Sequence, residues 1–320
     1  MRHLKTLSAI FLVALLTGCN CKQQASAPKY GTLSVVGTQL VGNDGQPAIL
    51  RGVSYGWHNW WPRFYNEESV QWLKDDWKCS VVRASMGVEP KGGYLTDRDS
   101  AVENVQAVVN GAIKAGIYVI IDWHSHGIHT NEAKQFFGTM AEKYGNCPNI
   151  IWEIFNEPMY QSWKDVKEYS MQVIDTIRVH SDNVILVGNP HWDQDINLVA
   201  DDAIQGYSNI MYTVHFYAST HKQWLRDRCD SALSKNIPIF ISESACCEAS
   251  GDGTIDLEEW NTWIDWCENN NISWVIWSVT DKKETCSMLF PSASSFGQWQ
   301  DADLSESGKL TREKIRNLNY

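Results

Sequence analysis

Eight apolar runs rich in Val, Ile and aromatic residues punctuate this chain, at 49–54, 80–86, 117–123, 150–155, 183–188, 210–217, 237–242 and 272–278. Short continuous runs of this kind suit strands covered on both faces, as in a parallel sheet. Stretches with helical character intervene at about 67–78, 99–115, 130–143, 162–180, 222–235 and 255–270, with a weaker one near 192–203 and a last near 308–317. Cap-like residues from Asn131 to Lys134 and from Thr254 to Glu258 mark two helix starts. Eight βα units in 320 residues predict a (β/α)8 barrel, a fold that typically takes about 250 residues. A doubly wound sheet would want a Gly-rich phosphate loop after the first strand. Arg51-Gly52-Val53-Ser54-Tyr55 stands there instead. Asn43-Asp44-Gly45, between 33–41 and 47–50, predicts an N-terminal β-hairpin ahead of the barrel.

The N-terminus reads differently. Basic Arg2 and Lys5 precede the apolar run Leu7–Leu16, which is too short to span a bilayer. Residues 1–18 are therefore expected to be a secretory signal. Leu16-Thr17-Gly18-Cys19 resembles a bacterial lipobox, which implies lipidation of Cys19 and an exported, cell-surface or outer-membrane lipoprotein. Asn20 fits outer-membrane sorting by the same resemblance. An ordinary signal peptide cut after Cys19 is the alternative. Residues 19–32 then form a linker, with the polar run 22–31 at its centre, and 33–320 the catalytic domain. Export permits disulfides among the remaining eight cysteines, whose pairing the sequence does not reveal. None has zinc-site spacing, and no metal or cofactor is expected.

The net charge is −11, and loss of Arg2 and Lys5 makes it more negative by two. Such a chain repels nucleic acid and anionic surfaces but tolerates neutral substrates. Sixteen tryptophans are expected to divide about two to one between core and a sugar-stacking groove.

Catalytic residues of this barrel type come from the C-terminal ends of strands. There stand Arg83, Asp122-Trp123-His124, Asn156-Glu157-Pro158, His215-Phe216-Tyr217, Glu243 and Trp277. Two carboxylates from strands four and seven, facing each other across the ring, match the requirement of glycoside hydrolysis with retention: one acid and one nucleophile about 5–5.5 Å apart. Glu157 is expected to be the acid/base and Glu243 the nucleophile. Arg83 and Tyr217 are expected to hold Glu243 ionised, and that charge to raise the pKa of Glu157. Asn156 is placed to hydrogen-bond a sugar 2-OH. Glu153 shares strand parity with Glu157 and is expected to be structural.

Ile154-Phe155-Asn156-Glu157-Pro158, Ile239-Phe240-Ile241-Ser242-Glu243, Val81-Val82-Arg83-Ala84, the run Val119–His124 and the run Val214–His221 together resemble glycoside hydrolase family 5, its cellulase subfamily 2 in particular. The resemblance runs from about residue 33 to 300. It implies a retaining endo-β-1,4-glucanase, with supporting roles for Arg83, His124, Asn156, His215 and Tyr217. It also implies that Trp277, Lys282 and Glu284 line subsites before the scissile bond, that Trp192 stacks a sugar beyond it, and that Trp60 is an aromatic platform. The sequence departs from the family pattern at Gly56, with His58 nearby as a substitute, at Gly87 where Tyr is common, and at Ser244-Ala245-Cys246-Cys247. Mannanase, mixed-linkage glucanase and xyloglucanase remain rivals within the family. A non-catalytic glycan-binding lipoprotein and a metal-dependent hydrolase using His124-Ser125-His126 are rivals outside it. A β-glucan or cello-oligosaccharide substrate, a lipid anchor and a monomeric state complete the expectation.

Overall fold

The computed structural model describes residues 27–319. The expected secretory segment, Cys19 and the first part of the linker lie outside them. In chain order the strands are β1 (Ser34–Val36), β2 (Gln39–Val41), β3 (Arg51–Tyr55), β4 (Val81–Gly87), β5 (Tyr118–His124), β6 (Ile150–Glu153), β7 (Ile185–Val187), β8 (Ile210–Tyr217), β9 (Ile239–Ala245) and β10 (Trp274–Val279). The helices are α1 (Glu67–Asp75), α2 (Arg98–Ala115), α3 (Thr130–Tyr144), α4 (Trp163–Arg178), α5 (Pro190–Asp193), α6 (Ile196–Asp201), α7 (Gln223–Ser234), α8 (Leu257–Asn269) and α9 (Glu306–Leu318). Strands β3 to β10 close into a parallel barrel in which β10 returns to β3. Every residue of those eight strands is buried, which is why each reads as an unbroken apolar run.

Strands β1 and β2 form the expected antiparallel hairpin, but its tight turn falls earlier than expected. Val36 pairs with Gln39 across Gly37-Thr38, and Gly37 takes φ +60°, a left-handed value that residues with a Cβ avoid. The Asn43-Asp44-Gly45 turn is present too, closed by a single bridge from Val41 to Pro47. The hairpin plugs one end of the barrel. Leu33, Leu40, Ala48 and Leu50 pack against residues at or near the strand starts, among them Val81, Tyr118, Ile151, Met211, Phe240 and Val275. Tyr118 seals the plug with a 2.7 Å bond to the Gly31 carbonyl.

The larger core lies between the barrel and its helices. Eight of the sixteen tryptophans are buried in it, and Trp61, Trp72 and Trp266 pack against it, close to the two-to-one division expected. Helix α8 starts at an Asp256 cap, two residues after Thr254, and α3 starts at Thr130 without a side-chain cap. The weak helical stretch near 192–203 resolves into α5 and α6. Within α5, His191, Trp192 and Asp193 have φ of 54°, 56° and 59°, a left-handed turn rather than an α-helix. Cys147 is disulfide-bonded, and the other six described cysteines are free and buried.

Candidate active site

Arg83 is the third residue of β4, not its end, so its guanidinium lies under the barrel mouth and reaches upward. It is wholly buried and meets three carboxyls: Asp122 Oδ2 at 3.0 Å, Glu153 Oε2 at 2.7 Å and Glu243 Oε2 at 2.8 Å. One cation does not balance three anions in a dry interior. Burial, the largest influence on Asp122, pushes its carboxyl well above the usual range. Glu153 goes the other way. Burial would raise it, but Arg83 and His215 hold it down at about 2. Glu153 also accepts from Ser242 at 2.7 Å and touches nothing open to the mouth, so it is structural, as expected.

Glu243, on β9, has both oxygens held. Arg83 Nη1 donates to Oε2, and the Tyr217 hydroxyl donates to Oε1 at 2.7 Å. Arg83 Nη2 also donates to Asn156 Oδ1 at 2.6 Å, which orients that amide. Asn156 Nδ2 is buried without a partner among the described residues, a donor available to a sugar hydroxyl.

Glu157 follows β6, on backbone still tied to the neighbouring strand. Asn156 N–H donates to Trp123 O and Glu157 N–H to Ser125 O. Its Oε1 lies 3.0 Å from His215 Nδ1. The other nitrogen of His215 faces Ser242 Oγ at 3.0 Å and Asp193 Oδ2 at 3.3 Å. Burial disfavours a charged imidazole there, but Asp193, Glu153, Glu157 and Glu243 outweigh it, so the pKa of His215 stands well above the ordinary histidine value. That cation overturns the expectation for Glu157. Burial does push its carboxyl upward, yet the hydrogen bond and charge of His215 draw it below the usual glutamate range. Atoms of Glu157, His215 and Glu243 lie within 4.8 Å of one another, so the two carboxyls face each other at close quarters.

These glutamates open onto a depression of about 170 Å³ that also gathers His124, Tyr217, Trp60, Trp277, Lys282 and Glu284. Lys282 and Glu284 pair with each other. Trp60 is 54% exposed, and Trp277 presents a ring stacked 5.2 Å from His124 at 4°. Burial and Arg83 lower the His124 pKa to about 3, so this imidazole is neutral. Trp192 is not brought into the depression. It stands beside exposed Tyr160, ring centres 5.5 Å apart, on the left-handed turn whose N–H groups donate to Pro158 O and Met159 O. His58 does not replace the missing histidine of the first loop. It is buried, and its Nδ1 accepts from Gly87 N–H at 3.0 Å. Gly87 itself is explained by close approach: a Cβ there would lie 2.4 Å from Asn59 Oδ1 and 2.8 Å from the Trp57 ring. Trp57 fills that space and lines the site. Ala245 and Cys247, from the atypical segment after Glu243, pack under Tyr217 and Trp277.

Sequence reasoning gave no role in this site to Trp57, Ser242 or Asp193, and weighed His126 only as half of a His-x-His metal pair. Of these only His126 carried a signal, its adjacency to the Asp122-Trp123-His124 strand end.

A closed (β/α)8 barrel whose mouth sets two glutamates face to face, one on an Arg–Tyr pair and one on a histidine, defines a glycoside hydrolase of the two-carboxylate kind. More particularly, residues 41–283 match the model of "Cellulase (glycosyl hydrolase family 5)", and the chain belongs to that family. It is 39% identical over 98% of its length to an endoglucanase of Clostridium saccharobutylicum, spanning 72% of that protein. It is 43% identical over 85% of its length to endoglucanase A of Evansella cellulosilytica, of which it spans 57%. The catalytic domain of Thermobifida fusca endoglucanase Cel5A superposes with a TM-score of 0.86 at 31% identity, covering 91% of this chain and 100% of that one. A variant of that domain is also solved in complex with cellotetraose.

Proposed function

We propose that the protein is a retaining endo-β-1,4-glucanase in which Glu243 is the nucleophile and Glu157 the acid/base. The observation that carries this is the pair of facing carboxyls, each oriented by its own partners. In the first step a Glu243 oxygen bonds to C1 while the C1–O bond breaks and Glu157 protonates the departing oxygen. In the second, water attacks C1, Glu157 takes its proton, and the Glu243 ester is released. Arg83 and Tyr217 aim the nucleophile, and Asn156 Nδ2 meets the 2-OH.

The lowered pKa of Glu157 requires a source for its proton. His215 Nδ1 holds one 3.0 Å away. A glucan that fills the cleft expels water, and a drier site favours the neutral Glu157–His215 pair over the ion pair. The proton then rests on Glu157, ready for the leaving oxygen. Trp60, Trp277, Lys282 and Glu284 serve the sugars before the scissile bond, and Trp192 one beyond it. Export and lipidation at Cys19 belong to the same reading, supported by the sequence of residues 1–20, and so does a monomeric state.

Viscosity loss and reducing-sugar release on carboxymethyl cellulose test it, with wild type, Glu157→Gln and Glu243→Gln side by side and mannan and xyloglucan as parallel substrates. Rapid viscosity loss by wild type alone is expected. Faster turnover of mannan or xyloglucan would move the specificity, and no turnover of any glycan would leave a binding protein.

A further inference from the structure

Glu157 is surrounded by titratable groups from several elements. His215 and Tyr217 come from β8, His221 from the segment after it, His124 from the end of β5 and His126 from the loop that follows. Glu243 comes from β9 and Asp193 from the turn after β7. Only His126 among them is open to solvent: its side chain is 34% exposed, while the others are 8% exposed or less. His215 occupies the inner oxygen of Glu157, and His126 faces the outer one. Its Nδ1 lies 3.2 Å from the Glu157 main-chain oxygen and 3.8 Å from Oε2. The first contact is a hydrogen bond, with Nδ1–H as donor. The second is too long for one but close enough for the N–H dipole, or a charge on the ring, to act on the carboxyl.

The loop that carries His126 is held with unusual care. One oxygen of Glu89 accepts from His126 N–H at 3.1 Å, Gly127 N–H at 3.0 Å and Ser125 Oγ at 2.6 Å, and it lies 3.2 Å from His129 Nε2. Burial would raise the Glu89 pKa, but these donors draw it below the usual range, so the clamp is anionic. Gln161 Nε2 grips the His126 carbonyl from the other side at 2.9 Å. The imidazole is thus fixed at both ends of its own peptide, in the cleft wall, against the acid/base.

We propose that His126 is a positioning residue for Glu157: it pins the Glu157 main chain and biases, at the outer oxygen, how readily the carboxyl releases its proton. The inference rests on Glu157 being the acid/base. A donor beside a carboxylate favours the ionised form, so removing the imidazole makes Glu157 hold its proton to higher pH.

The test is kcat/KM against pH for wild type, His126→Ala and His126→Asn on two substrates. Cellotetraose needs its leaving oxygen protonated, and 2,4-dinitrophenyl cellobioside does not. His126→Ala is expected to lose about tenfold on cellotetraose, a part of what general acid catalysis contributes. Its alkaline limb is expected to move upward, and the dinitrophenyl substrate to be little affected. His126→Asn, whose amide N–H reaches the same oxygen, is expected to restore most of the loss. Equal losses on both substrates, or an alkaline limb superimposable on wild type, would overturn the proposal. Wild-type turnover of both substrates alongside either result leaves the glucanase reading standing. A wild type inactive on both would bring down that reading instead.

Discussion

Arg83 ties the nucleophile to two buried acids, and each of the four side chains answers for the others. For the nucleophile itself, Glu243→Ala is expected to cut turnover by at least about 10⁴-fold while leaving the groove intact, with azide restoring activity as an α-glycosyl azide. Appreciable activity without azide would count against the role. For Glu153, the folded pKa of about 2 lies below its ordinary value of 4.5. A depressed carboxyl contributes stability above its unfolded pKa and loses it as pH falls through the folded one. Wild type is therefore expected to lose stability between about pH 4.5 and 2 relative to Glu153→Gln. Asp122 and Asp193, raised by burial, pull the opposite way in both proteins, so the difference between the two denaturation curves is the quantity to read. At this scale the sequence announced Glu157 and Glu243, because each sits where an apolar run stops. Ser242 and Asp193 were silent, because their roles depend on which atom they meet across the barrel, and His126 showed only its place beside a strand end, not the oxygen it faces. The lowered pKa of Glu157 was misread for the same reason: Glu243 was counted as its neighbour and the cation at His215 was not.

The elements differ in how they are held. Helix α1 begins at Asn66, whose Oδ1 accepts from Ser69 N–H at 2.9 Å while Nδ2 donates to Arg63 O at 3.1 Å and Ser295 O at 2.9 Å. Asn66→Ala loses a helix cap and a tie between two loops of the barrel mouth. It is expected to destabilise the fold by about 2 kcal/mol, the upper end for a cap, read as a lower denaturation midpoint. A change within about 0.5 kcal/mol would show that the loops hold without it. All eight barrel strands were legible, since burial on both faces leaves an uninterrupted apolar signature. The hairpin was legible in kind but not in place. Two glycine-bearing turns compete within a dozen residues, and only packing against the barrel end decides which one closes the tighter pair. Left-handed α5 was read as weak helix, because its backbone is imposed by bonds to Pro158 and Met159 that no local pattern encodes.

Taken whole, the molecule performs its chemistry with side chains alone in the reading proposed here, so a strong chelator is expected to leave carboxymethyl cellulose hydrolysis unchanged. Loss of activity restored by a divalent metal would bring the Glu157–His215–Glu243 cluster forward as a ligand set. Replacement of Cys19 by Ala is expected to abolish incorporation of labelled fatty acid and to release active enzyme into the soluble fraction. Unchanged labelling would point to an ordinary secretory cut. For the lipid anchor proposed above, the barrel plug would set a direction. The hairpin seals the end where the strands begin, and both glutamates stand where strands end. A chain held to a surface by its N-terminus would stand on its hairpin with the cleft turned outward. Polymer arriving from the surroundings would meet the open face first, while the holding surface stayed a full barrel height behind the bond being cut.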